Sequence, residues 1–142
     1  MCNATGNPRN MESTTPFSDS ELPVKELRAA LLASDLALEV DAEFTGKIRA
    51  GGDVRLATSH VLGRFQSALG SSREGPVVLV ALAALQQREG NLQSVIKDAA
   101  IDLIESGEAL AAYRPMDSAQ RKNVARLLEQ FADLLKQTRS ID

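Results

Sequence analysis

The chain has 142 residues, of which 44% are hydrophobic and 25% charged, a composition typical of an ordinary globular domain. This length is enough for one domain with a substantial core, and the low aromatic content of 4% predicts that the core is aliphatic. The net charge of −3 argues against a nucleic-acid-binding protein.

The number of cysteines and the length of the apolar runs indicate the cellular compartment in which we expect the protein. A single cysteine, Cys2, cannot form an internal disulfide, which favours a reducing environment. The first residues lack the basic-then-apolar pattern of a secretion signal. The longest apolar run, residues 76–85, is too short to cross a bilayer. We therefore expect a cytoplasmic protein with no membrane partner.

The chain opens with a polar segment. Residues 1–17 are rich in Asn, Ser, Thr, Pro and Gly without an apolar period, which predicts a disordered tail. Residues 18–142 are predicted to form a single helical-bundle domain. Its first apolar positions recur at helical spacing on both sides of Ser34, which either breaks or bends the helix there. The pair Gly51-Gly52 ends this region.

The next segment predicts one amphipathic helix over residues 53–69, with Asp53 as its N-cap. Its apolar side chains share one side: Val54, Thr58, Val61, Phe65, Ala68 and Leu69. His60, the only histidine, falls roughly 140° from the centre of that stripe. Four other residues are predicted on its solvent-facing side: Leu56, Gly63, Arg64 and Ser67.

Three more helices are predicted over residues 76–89, 92–106 and 118–137. The first is apolar on all sides and belongs at the centre of the bundle, although Val77-Val78 alone would also suit a buried strand. The last has a heptad-like stripe centred on Phe131, which packs within the bundle or against a second copy. The predicted fold class is all-α, a bundle of four or more helices.

The residue types exclude most self-sufficient active sites. One histidine and one cysteine, far apart in the chain, cannot build a structural zinc site. The pair Gly51-Gly52 lacks the preceding strand of a phosphate-binding loop. Acidic residues Asp98, Asp102 and Glu105 share one helix face, and such a run is far more often solvated surface than a cation site. We expect neither a metal nor a cofactor.

A pattern of small and apolar residues surrounds His60. It comprises Ser59-His60-Val61-Leu62, Ser67-Ala68-Leu69-Gly70, the upstream turn Gly51-Gly52-Asp53 and the downstream residues 82–91. In kind and spacing this pattern resembles histidine-containing phosphotransfer domains, across residues 36–104. The family's Lys-Gly pair after the histidine is here Gly63-Arg64, in reversed order.

The resemblance implies a function for that face. His60 would accept a phosphoryl group from an aspartyl phosphate and pass it to another aspartate. The partner would be a receiver domain of a response regulator or hybrid kinase, which supplies the magnesium and acidic residues. Arg64 would stabilise the phosphoryl group, and Leu56, Gly63 and Ser67 would form the docking surface. The chain would then be a phosphorelay intermediate in two-component signalling.

The alternative is a non-catalytic, small acidic helical module that binds a protein, such as an adaptor or a toxin-neutralising partner. His60 would then be an ordinary surface histidine. The phosphotransfer hypothesis requires an exposed imidazole nitrogen on a shallow face beside Gly63 and Arg64, and the binding module does not.

Overall fold

The computed structural model describes residues 24–32, 34–113 and 118–141, and this part of the chain contains helices and no strand. In chain order the helices are α1 (Val24–Leu31), α2 (Asp35–Arg49), α3 (Val54–Arg64), α4 (Gln66–Leu69), α5 (Gly75–Arg88), α6 (Ser94–Glu105), α7 (Glu108–Tyr113) and α8 (Ser118–Gln137). The predicted all-α bundle is confirmed. The tail predicted over residues 1–17 lies outside the described residues.

Helix α5 lies at the centre of the bundle. Every residue from 75 to 86 except Leu79 is buried, and α1, α2, α4, α6 and α7 all pack against it. A helix without a polar face can be stable only when it is surrounded in this way. Val77 and Val78 are both helical and buried, so the strand alternative is excluded.

Helices α2 and α3 form a hairpin whose ends are capped. The Ser34 hydroxyl accepts a hydrogen bond from the Ala37 amide at 3.2 Å and starts α2. Gly51 has a φ of 98° and carries the chain away from the end of α2. The Asp53 carboxylate then accepts from the Leu56 amide at 2.9 Å, as predicted for an N-cap. The two helices pack against each other along the hairpin.

The prediction of one continuous helix over residues 53–69 was wrong at Phe65. The backbone leaves helical geometry there, with φ −107° and ψ 27°, and α4 follows as a separate short turn. Phe65 is itself buried, so the apolar period continues through the break and gives no local sign of it. The chain then enters α5 through a tight contact, because a Cβ on Gly75 would lie 2.9 Å from the Leu69 carbonyl oxygen.

Helix α6 begins at Ser94, two residues later than predicted, after Gln93 in the cap position. A buried amide explains this. Gln86 is fully buried, and its Nε2 donates to Thr58 Oγ1 and to Gln93 Oε1, both at 2.8 Å. Its Oε1 accepts from the Gln93 amide at 2.9 Å. The Gln86 cluster (Thr58, Gln86 and Gln93) therefore joins α3, α5 and the start of α6.

We expect Gln86→Leu to lower the free energy of unfolding by about 1–3 kcal/mol, because it leaves the Thr58 hydroxyl and the Gln93 amide without their partner. Urea denaturation followed by circular dichroism measures the change. The control is Gln66→Leu on α4, where the glutamine is exposed. Equal stabilities of the two variants would contradict a role for the Gln86 cluster in holding the helices together.

Helix α8 matches its predicted bounds and closes the bundle. Its buried residues, Leu128, Phe131, Ala132 and Leu135, face α6, α7 and α1. After α8, the Ile141 amide donates to the Leu92 carbonyl at 2.7 Å. The heptad-like stripe therefore packs within this chain. Within the described ranges, no helix has the combination of length and apolar character needed to cross a membrane.

Candidate functional site

The α2–α3 hairpin brings His60 to a carboxylate. Nε2 of His60 lies 2.7 Å from Oε1 of Glu43, and the two side chains are 30% and 35% exposed. An ionised carboxylate can only accept a hydrogen bond, so Nε2 is the donor in this contact. The imidazole is therefore half-exposed and oriented, rather than free on the solvent side of α3.

The charges around this pair favour the ionised carboxylate. The hydrogen bond from His60 holds the pKa of Glu43 below its usual range, and it outweighs the opposing effect of desolvation. The positive charges of Arg64 and Lys47 lower the same pKa further. The site thus contains one imidazole, one carboxylate and two nearby cations.

The lowered pKa of Glu43 predicts a pH-dependent contribution to stability. Because the carboxyl is more acidic in the folded protein, its contribution is fully present above the unfolded pKa of about 4.5 and is lost as pH falls through the folded pKa. We expect Glu43→Gln to melt below wild type at pH 6, and we expect this difference in melting temperature to shrink progressively as the pH falls below about 4.5. Thermal melts across this range test the expectation, and a constant difference would contradict it.

The other predicted site residues lie on the outer surface of α3 and α4. Arg64 is exposed, with its guanidinium carbon 5.7 Å from the centroid of the Phe65 ring. Leu56 is 54% exposed. Gly63 is exposed, and a Cβ there would meet nothing within 4 Å. Ser67 is also exposed, but it belongs to α4, beyond the break at Phe65.

Glu43 is the site residue that sequence reasoning missed. Periodicity places His60 on the side of α3 opposite the core but does not reveal which face of α2 lies beside it. A usable signal was present in the spacing. Glu43 lies eight residues before Gly51, and His60 lies eight residues after Gly52. In an antiparallel helical hairpin, positions at equal distances from the turn lie side by side.

The acidic run on α6 does not gather into a metal site. Glu105 pairs with Lys136 of α8, and Asp98 and Asp102 are exposed. In the described part of the chain, no group of three or more His, Cys, Asp or Glu side chains is arranged to hold a metal ion.

Two surface clefts lie apart from the imidazole. One of about 240 Å³ is lined by Asp53, Val54, Arg55, Asn91, Gln93 and Ile141. Another of about 470 Å³ adjoins the start of α2 and the end of α7. Neither is lined by His60.

Comparison with known proteins adds no relative. No protein-family model matches the sequence, and no significant match is found among curated proteins or solved structures. The functional inference therefore depends on the chemistry of the His60–Glu43 pair and its surroundings.

Proposed function

We propose that this protein is a histidine phosphotransfer protein, in which His60 carries a phosphoryl group between the aspartates of two receiver domains. One observation carries the proposal. The only histidine of the chain is held half-exposed by a carboxylate, with the cations Arg64 and Lys47 close to the pair. An imidazole in this setting is a nucleophile with a nearby source of positive charge for a phosphoryl group.

The bundle is also suited to the role. The surroundings of His60 are formed by two capped helices, of which α2 packs on α5 and α3 packs on α2, so the ring is presented from a rigid support. Exposed Gly63 adds no side chain beside the ring, which leaves room for a partner to approach. The receiver domain would supply the metal ion and the acidic residues, and this chain would supply the nucleophile.

A second candidate is a helical protein-binding module. It is favoured by the exposed leucines of the hairpin, Leu38 and Leu56, which are 52% and 54% exposed. Large apolar side chains at the surface are common at sites of protein association. In this case the contact between Glu43 and His60 would simply hold α2 against α3.

The two candidates are separated by phosphoryl transfer. The protein is incubated with a panel of receiver domains that carry aspartyl phosphate, and the products are tested for phosphate that is labile in acid and stable in base. We expect such label on this chain and its loss from the receiver. If no receiver in the panel transfers phosphate, the phosphotransfer proposal is rejected and the binding module is preferred.

Arg64→Ala is expected to slow phosphoryl transfer about tenfold without abolishing it, as for the loss of one charge-assisted contact at an exposed position. Initial rates of transfer from a receiver measure the effect. The matched control is Arg55→Ala, which removes the same charge from an exposed position near the start of α3. If both variants transfer at the wild-type rate, Arg64 does not contact the phosphoryl group.

A further inference from the structure

We infer that Nδ1 is the nucleophilic nitrogen of His60 and that Glu43 is the positioning residue that makes it so. This inference rests on the proposed phosphotransfer function and specifies its chemistry. Nδ1 would form the bond to phosphorus. The contact between Nε2 and Glu43 would keep the imidazole a good leaving group in the reverse transfer.

The contact with Glu43 determines which ring nitrogen of His60 carries the proton. A neutral imidazole carries one N–H and one nitrogen with a lone pair. Nε2 lies 2.7 Å from a Glu43 oxygen, and that oxygen can accept a hydrogen but not donate one. The neutral ring is therefore held as the Nε2–H tautomer, and the lone pair is on Nδ1. Among the described residues, the hydrogen bond of the His60 ring is made through Nε2, and none of these residues engages the lone pair on Nδ1.

The Nδ1 lone pair attacks the phosphorus of the aspartyl phosphate, a bond between nitrogen and phosphorus forms, and the bond between phosphorus and the aspartate oxygen breaks. The electron pair leaves with the aspartate as a carboxylate. No proton has to move, because the proton on Nε2 remains on the ring. The product is a phosphoimidazolium whose positive charge lies against the carboxylate of Glu43.

The same carboxylate also favours the return reaction, in which the phosphoryl group leaves the ring. A phosphorylated imidazole gives up its phosphoryl group readily while its ring is protonated, because a neutral imidazole then leaves. Glu43 stabilises the protonated form through both its hydrogen bond and its negative charge. One residue thus defines the attacking nitrogen in the forward direction and the leaving group in the reverse direction.

Nitrogen-15 NMR of the ring tests the tautomer directly, and the single histidine makes the signals unambiguous. At a pH where the ring is neutral, we expect the Nε2–H tautomer in the wild type and a mixture of tautomers in Glu43→Ala. The matched control is Glu39→Ala, an exposed carboxylate one turn earlier on α2, which should keep the wild-type tautomer. A dominant Nδ1–H tautomer in the wild type would overturn the inference.

Phosphoramidate, a small phosphoryl donor, tests the site of reaction without any receiver domain. We expect phosphorus-31 and nitrogen-15 NMR to place the phosphoryl group of the wild type on Nδ1. In Glu43→Ala the ratio of Nδ1 to Nε2 product should fall about tenfold, as for the loss of a hydrogen bond to a charged group. Glu39→Ala should retain the wild-type ratio.

These outcomes are distinct from those of the functional test. Reaction of the wild type at Nε2 overturns the assignment of Nδ1 even if receiver domains transfer phosphate to the protein. Reaction of phosphoramidate at Nδ1 supports the assignment even if no receiver domain transfers phosphate to the protein. In that case only the phosphotransfer proposal is rejected. If phosphoramidate labels neither nitrogen, Nδ1 is not an available nucleophile and the inference is overturned.

Discussion

Phe131→Ala is expected to lower the free energy of unfolding by about 3–5 kcal/mol, the largest effect on stability that we predict for a single substitution. The Phe131 side chain is fully buried in the middle of α8, where that helix packs on α6. Truncation removes the apolar contacts of the ring and leaves a cavity that the surrounding helices fill only in part. A loss of this size is a large fraction of the stability of a typical domain.

Urea denaturation at two protein concentrations tests this prediction. Glu129→Ala is the matched control, because the residue is exposed on the same helix. The midpoint for each variant should not depend on protein concentration, since Phe131 packs within one chain. A loss below about 1 kcal/mol for Phe131→Ala, which is typical of exposed positions, would contradict the docking of α8. Concentration-dependent melting would point instead to pairing with a second copy.

His60→Gln is expected to abolish phosphoryl acceptance while leaving the fold intact, which is the largest functional effect that we predict. No second histidine in the chain can replace it. Glutamine is polar and of similar length, and the imidazole is half-exposed rather than part of the core. Among the described residues, the side-chain hydrogen bond that this substitution removes is the one to Glu43 at the surface of the hairpin.

The phosphate label bound to the chain is measured after incubation with phosphorylated receiver domains. A circular-dichroism melting curve is recorded for the same sample. Label should fall to background and the helical signal should be unchanged. Ser59→Ala, an exposed neighbour on α3, should be labelled like the wild type. Label on His60→Gln equal to that of the wild type would show that phosphate is carried elsewhere and would remove the basis of the proposal.

The helices that sequence predicts best are those with a strong local signal. Helix α8 has a regular apolar stripe and matches its predicted bounds, and α5 is recognised by its continuous apolar character. The N-cap at Asp53 was also predictable, because its hydrogen bond is made within the first turn of α3. In each case the deciding interactions involve residues close together in the chain or a periodicity that any packed helix must show.

The features that sequence reasoning missed depend on contacts between distant residues. The start of α6, two residues later than predicted, follows from the hydrogen bond between the Gln93 amide and buried Gln86. The break at Phe65 leaves the apolar period intact, because Phe65 is itself buried, so the local pattern does not reveal it. The carboxylate of Glu43 is recognised only when the pairing of α2 with α3 is known.

The Gln86 cluster has a consequence for molecular recognition. Thr58 lies two residues before His60, and through Gln86 it is bonded to the centre of the bundle. The helix that presents the imidazole therefore cannot swing outward without leaving buried polar groups unsatisfied. If a partner docks on this face, the fixed position of α3 would keep the conformational entropy lost on association small.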